Sequence, residues 1–150
     1  MEQKRKIVPP VYFFAALVLM ATLHFLAPLA RFIEAPYSYL GFGLLLGGLG
    51  IAGTAVRAFS KAGTPLVPFE RSTALVTHGA YRFTRNPMYL GMVLVLIGVA
   101  LLFGTLSTLL PIPAFIWIIQ SNFIRGEERF LEEIFGDRYL NYKRCVRRWI

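Results

Sequence analysis

A chain of 150 residues suits one domain, but 56% of it is hydrophobic and the apolar residues come in blocks, which excludes an ordinary soluble fold. A net charge of +8 would suit a nucleic-acid partner, yet the basic residues sit between and outside the apolar blocks, where a membrane surface would meet them. The single cysteine, Cys145, excludes an intramolecular disulfide and, with no partner motif near it, reads as an inert thiol.

Lys4, Arg5 and Lys6 form a basic head ahead of Pro9 and Pro10. The apolar run 11–30 supplies the roughly 20 residues that cross a bilayer core. It ends at Arg31 and Glu34 rather than at a small-residue cleavage site, so it reads as a membrane helix and not as a signal peptide. Within it, the lone His24 is expected to be hydrogen-bonded to a neighbour. The second span, 37–59, contains Gly48, Gly50 and Gly53 in the spacing of a dinucleotide-binding loop. That fingerprint requires a preceding strand, whereas here it lies inside an apolar helix. With Gly43 and Gly47 spaced small-xxx-small, the glycines predict close helix–helix packing. Residues 60–78, with Lys61, Gly63, Pro65, Pro68, Glu70 and Arg71, read as an interfacial loop.

The loop delivers the chain to its most polar stretch: His78, Gly79, Tyr81, Arg82, Arg85, Asn86, Pro87 and Tyr89. Pro87 biases Asn86 away from the α region and is itself well placed in a helix's first turn, so a bent segment should lead into a third span, 88–103. The apolar residues resume at 107–123, and Gly104, Thr105, Pro111 and Pro113 around the break predict a tight helical hairpin. Residues 125–150 are polar with an apolar face (Leu131, Phe135, Tyr139, Tyr142, Val146, Trp149), interrupted at Gly136. Arg144, Arg147 and Arg148 beside Trp149 read as a basic-aromatic patch for lipid headgroups. The expected architecture is therefore an all-α membrane protein, one domain over 1–150. It has about four transmembrane helices, including a hairpin in the C-terminal half, and an amphipathic helical tail. With four spans, all of the 16 lysines and arginines but Arg31 fall on one side, which places both termini and the polar motif in the cytosol.

A hairpin returns the chain to the face it left, so the motif before it should meet Arg125, Glu127 and Glu128 after it. Arginine clamps a carboxylate, glutamate holds an ammonium or ribose hydroxyls, and a tyrosine face meets a cation or an adenine. Such a pocket suits a zwitterionic cofactor and a lipophilic substrate. The plainer alternative is that Arg82, Arg85 and Arg125 only pair with Glu127 and Glu128, or touch lipid phosphates. No Ser-His-Asp order and no metal-ligand spacing occurs, and a lone His78 implies no metal.

The stretch from Gly63 through Leu75, His78, Gly79, Tyr81, Arg82, Arg85, Asn86, Pro87 and Tyr89 to Gly91 resembles the isoprenylcysteine carboxyl methyltransferase and phospholipid methyltransferase superfamily. So does the stretch from Arg125, Glu127 and Glu128 through Gly136, Tyr139 and Tyr142 to Arg148, Trp149 and Ile150. The resemblance covers roughly residues 40 to 150. It implies an S-adenosylmethionine-dependent methyltransferase of a cell (inner) membrane, acting on a lipophilic acceptor from the bilayer: the carboxylate of a prenylated-cysteine-like compound or the amine of a phospholipid-like one. By position, His78, Gly79, Tyr81, Arg82, Arg85, Asn86, Pro87 and Tyr89 would line the cofactor site. Glu127 and Glu128 would close it, Arg125 would orient the acceptor, and Glu127, Glu128 or His78 would take an amine's proton. Arg147 stands where the family often has proline. Two rivals are a sterol-reductase-like enzyme using NADPH, whose related motif usually has asparagine where this chain has Met88, and a non-catalytic adaptor that binds anionic lipid.

Overall fold

The computed structural model describes residues 8–63 and 74–150. The basic head Lys4–Lys6 and the loop residues Pro65, Pro68, Glu70 and Arg71 lie outside them. Helix α1 spans Pro9–Leu26, opening on the two prolines whose fixed φ suits a first turn. Pro28 ends it: the residue before a proline avoids the α region, and Ala27 has left it, at φ −140°. The first span therefore stops four residues short of the expected Ala30. Residues 30–32 instead run antiparallel against Gly104–Leu106, with Phe32 N–H donating to the Gly104 carbonyl and Leu106 N–H to that of Ala30, each at 3.0 Å.

Helix α2 spans Leu40–Lys61 behind a 3₁₀ turn at Tyr37–Tyr39, and the Gly48–Gly53 fingerprint is helical throughout. Helix α3, Pro87–Phe103, lies antiparallel against it, and the two backbones touch through four glycines. A Cβ on Gly48 would sit 2.6 Å from the Gly91 carbonyl oxygen, and one on Gly98 would sit 2.6 Å from that of Gly41. Close packing by glycine is thus present, and of the glycines the sequence suggested Gly48 takes part in it. A Cβ on Gly43, Gly47, Gly50 or Gly53 would meet nothing within 4 Å among the described residues, and the seven-residue spacings Gly41/Gly48 and Gly91/Gly98 carry the contact. Without a hydrophobic drive between helices in lipid, it is this approach of backbones that holds a pair together.

Gly104, at φ +70°, caps α3 and turns the chain into the returning arm of the hairpin. That arm does not end at Phe123. After a 3₁₀ turn at Leu106–Leu109, helix α4 (Pro111–Ile119), a π-helical turn (Gln120–Ile124) and α5 (Arg125–Phe135) form one continuous rod. No proline or cap interrupts it between Ile119 and Gly126. Gly136, at φ +51°, breaks it, and α6 follows at Asp137–Cys145. Met20, Leu96, Ile112, Phe115, Ile119 and Phe123 form the core between α1, α3 and α4. The outward faces stay apolar, with Phe14, Val18, Phe42, Leu46 and Trp117 exposed, as expected where the solvent is lipid.

Among the described residues the secondary structure is helical apart from the bridge between Arg31 and Thr105. Three helical stretches, Pro9–Leu26, Tyr37–Lys61 and Leu106–Phe135, are long and apolar enough to cross a membrane, and α3 is a shorter apolar helix of 17 residues. At the far end of the hairpin, half-buried His24 has Nδ1 3.1 Å from Thr105 Oγ1 and its ring stacked on Phe103, the hydrogen-bonded histidine expected.

Candidate functional site

The start of α3 and the start of α5 meet at the near end of the hairpin. Tyr89, on the first turn of α3, donates its phenolic hydroxyl to Glu127 Oε1 at 2.7 Å. One position on, Glu128 faces the other way. Its side chain is only 9% exposed and takes Arg85 Nη1 at 3.1 Å. Consecutive helical residues point about 100° apart, so adjacent glutamates serve two different neighbourhoods.

Glu128 has a second partner, one expected instead in a patch for lipid headgroups. Arg148 embraces it with both donors of its fork, Nε to Oε1 at 2.9 Å and Nη2 to Oε2 at 2.7 Å. That bond raises the guanidinium pKa further, so Arg148 stays charged. The residues around Arg148 form a strap across the polar motif. Arg85 N–H donates to the Arg147 carbonyl at 3.0 Å, and the Arg148 carbonyl accepts from Thr84 Oγ1 at 3.1 Å and Asn86 Nδ2 at 3.0 Å. Trp149 Nε1 reaches Gln120 Oε1 at 3.0 Å, fixing the strap to the π-helical turn. The basic-aromatic patch expected of Arg148 and Trp149 is therefore corrected: both fold inward onto the site, leaving Arg144 and Arg147 exposed.

Helix α6 supplies a phenolic wall. Tyr139, almost fully buried, accepts from Arg85 Nη1 at 3.4 Å, and the Tyr142 hydroxyl donates to the Tyr81 carbonyl at 2.7 Å. Burial first, then the nearby Tyr142 and Glu127, push the Tyr81 phenol far above the usual tyrosine range. Burial, then the charge of Glu128, raises Tyr139, and burial, then Tyr139, raises Tyr142. These phenols are neutral donors and acceptors at any physiological pH.

Arg85 is a second committed cation. Its side chain is only 9% exposed, and it holds Glu128 and Tyr139 through Nη1, while its Nε is buried with no hydrogen-bond partner among the described residues. A buried guanidinium N–H left unsatisfied is costly, and native sites that keep one reserve it for a ligand or a water. Glu128 and Arg148 also line an open cleft of about 410 Å³, together with Arg125, Arg129, Glu132 and Lys143. This is within the usual range for small-molecule sites. Lys143 pairs with Glu132, whereas Arg125 and Arg129 have no carboxylate partner among the described residues.

The geometry gathers Tyr81, Arg85, Asn86, Tyr89, Glu127 and Glu128, with Pro87 opening the helix that carries Tyr89. It does not gather all the expected residues. His78, Gly79 and Arg82 are exposed, and the His78 and Arg82 side chains make no hydrogen bond or ion pair to another described residue. The plain ion-pair alternative holds for Arg85 with Glu128, and not for Arg82 or Arg125. Among the described residues no three His, Cys, Asp or Glu side chains gather as a metal site. The sequence pointed to Tyr139 and Tyr142 as face residues through their spacing, and Arg148 stood in the tail stretch that carries the family resemblance, but no spacing gave it a partner in the site.

A family model described as phospholipid methyltransferase matches residues 36–138. A protein-S-isoprenylcysteine O-methyltransferase of Schizosaccharomyces pombe is 29% identical over 126 residues, covering 83% of this chain and 53% of its own length. Protein-S-isoprenylcysteine O-methyltransferase A of Arabidopsis thaliana is 27% identical over 139 residues, covering 89% of this chain and 71% of its own. An uncharacterized protein of Haemophilus influenzae matches over its whole length, 41% identical across 63 residues. The structure of the eukaryotic intramembrane Ras methyltransferase, isoprenylcysteine carboxyl methyltransferase, superposes on 100% of this chain with a TM-score of 0.67 at 24% identity. That likeness shows a shared fold. The chain spans about half the length of the fission-yeast relative and of that structure, at 53% each.

Proposed function

Since the chain belongs to the phospholipid methyltransferase family, we propose that it transfers a methyl group from S-adenosylmethionine to a lipophilic acceptor held in the bilayer. The acceptor carries the carboxylate of a prenylated-cysteine-like compound or the amine of a phospholipid-like one. The observation that carries this reading is the meeting of Tyr89 with Glu127, and of Arg85 with Glu128, at one end of the hairpin. The site thereby offers the opposite charges that a zwitterionic cofactor needs, next to helices whose outer faces suit a lipid.

The residues present fit the cofactor. The unpartnered Arg85 Nε–H suits a carboxylate, and Glu127 with the Tyr81 and Tyr89 phenols suits an ammonium or hydroxyls. When bound, S-adenosylmethionine would supply a methyl group on a sulfonium, open to in-line displacement. The chain's own part is to orient and to exclude water, the terms that dominate when two reactants must align. An ionised carboxylate acceptor needs no base. For an amine acceptor, Glu127 suits the proton better than Glu128, because both oxygens of Glu128 are engaged by guanidinium groups. Exposed Arg125, at the cleft mouth, is the proposed contact for an anionic acceptor group. By the positive-inside rule the site and both termini face the cytosol, in a cell (inner) membrane.

Calorimetric titration of the detergent-solubilised protein with S-adenosylhomocysteine tests the reading, with Arg85→Ala as the control. Saturable binding that Arg85→Ala abolishes is the expected result. Absence of binding by folded wild-type protein, or equal binding by the variant, would overturn it.

A further inference from the structure

The site's polar groups lie in two segments far apart in sequence, and a third segment ties them together. Glu128 alone does not determine where the Arg85 guanidinium sits, since a carboxylate with a single partner can swing toward water. Arg148 removes that freedom. Its fork occupies both Glu128 oxygens, and Arg85 Nη1 then has Oε1 at 3.1 Å and the Tyr139 hydroxyl at 3.4 Å. Both contacts of Arg85 use Nη1, so Nε is left buried and unpartnered. The backbone repeats the arrangement: the Arg147 and Arg148 carbonyls hold the Arg85 amide, the Thr84 hydroxyl and the Asn86 side-chain amide.

We propose that Arg148 is a positioning residue of the cofactor site: through Glu128 it orients Arg85 so that its buried Nε–H is held ready for the carboxylate of S-adenosylmethionine. The proposal rests on the methyl-transfer reading. It assigns Arg148 to the inside of the site rather than to the membrane surface, and it makes Glu128 a strut between two arginines rather than a proton acceptor. Because Arg148 acts through Glu128, its contribution should vanish when Glu128 can no longer take both donors. Because the bond is a fork, lysine should replace it only in part, as a single-point cation.

The test is titration with S-adenosylhomocysteine of the solubilised full chain as wild type, Arg148→Ala, Arg148→Lys, Glu128→Gln and the Glu128→Gln/Arg148→Ala double variant. Hydrogen exchange at the Arg85 amide is followed in parallel to report whether the strap stays in place. The expected result is about tenfold weaker binding or more for Arg148→Ala with the Arg85 amide still protected. Arg148→Lys should be intermediate, and Arg148→Ala should have no further effect in the Glu128→Gln background. If Arg148→Ala exposes the amide, Arg148→Lys decides: a protected amide with weakened binding supports positioning, and wild-type binding overturns it. Equal binding by wild type and Arg148→Ala, or losses that multiply in the double variant, overturns this assignment alone. No binding by folded wild type overturns it together with the cofactor reading.

Discussion

Tyr89 and Glu127, 38 positions apart in the chain, share a 2.7 Å hydrogen bond in which the phenol donates and the carboxylate accepts. Tyr89 is 5% exposed and Glu127 half-buried, so the bond is largely shielded from water and its members depend on each other. Tyr89→Phe removes the donor and leaves a shielded carboxylate oxygen without it, at a cost of about 1–3 kcal/mol. Glu127→Gln keeps an acceptor and should cost less. Denaturant unfolding in detergent, comparing the two variants, checks the order.

The α2/α3 contact makes a prediction about glycine position. Gly48→Ala pushes a methyl group to 2.6 Å from a carbonyl oxygen of α3, and overpacking of this kind costs about 1–3 kcal/mol, more where backbone must move. Gly47→Ala places its methyl in open space, where replacing a mid-helix glycine gains up to about 1 kcal/mol. One residue of offset should therefore reverse the sign of the effect on thermal stability.

His24 lies at the other end of the hairpin from Arg85, and α3, with 17 residues, separates the ends by about 25 Å. His24→Phe keeps a ring against Phe103 and loses the bond to Thr105. Stability should fall by about 1 kcal/mol while S-adenosylhomocysteine affinity stays at the wild-type value. A change in affinity would show that the two ends communicate.

Alkaline pH should loosen the tail. Tyr81 and Tyr142 are raised from the ordinary tyrosine value of 10.0, burial being the larger cause in both. The unfolded chain thus sheds these protons before the folded one does. Stability should be level below about pH 10 and fall above it, by up to about 1.4 kcal/mol per pH unit for well-buried Tyr81. The effect is smaller for half-exposed Tyr142 because water screens it. Unfolding midpoints across this range, with Tyr142→Phe for comparison, measure the slope.

The helices and the hairpin could be read from the sequence because their signals are local: apolar runs of bilayer length, prolines that open them and Gly104 that turns them. Errors arose where tertiary contact decides. The sequence marked Gly43 and Gly47 by a spacing that many helices carry, but which glycine faces a neighbour depends on how α2 and α3 are rotated. The same holds in the site. Tyr89 and Glu127 could be paired by reasoning that a hairpin returns to its starting face. Arg148, in contrast, comes after two further helix breaks, and no periodicity states that it turns inward. His78 and Arg82 stood in the same motif as Arg85, yet the 3₁₀ turn at Gly79–Arg82 leaves Arg82 exposed and buries Tyr81 between them.

The strap over Thr84–Asn86 also orders events during biosynthesis. Domains gain structure from the N-terminus as synthesis proceeds, and α1, α2 and α3 can settle in the bilayer as each one emerges. The Arg85 pocket cannot follow that schedule, because its walls come from Tyr139, Arg147 and Arg148. A nascent chain that has completed α5 holds its membrane helices while Arg85 still lacks most of its partners. Premature termination there would yield an inserted protein with an unformed pocket, so a mutation that truncates the tail should be read as loss of the site rather than of the fold.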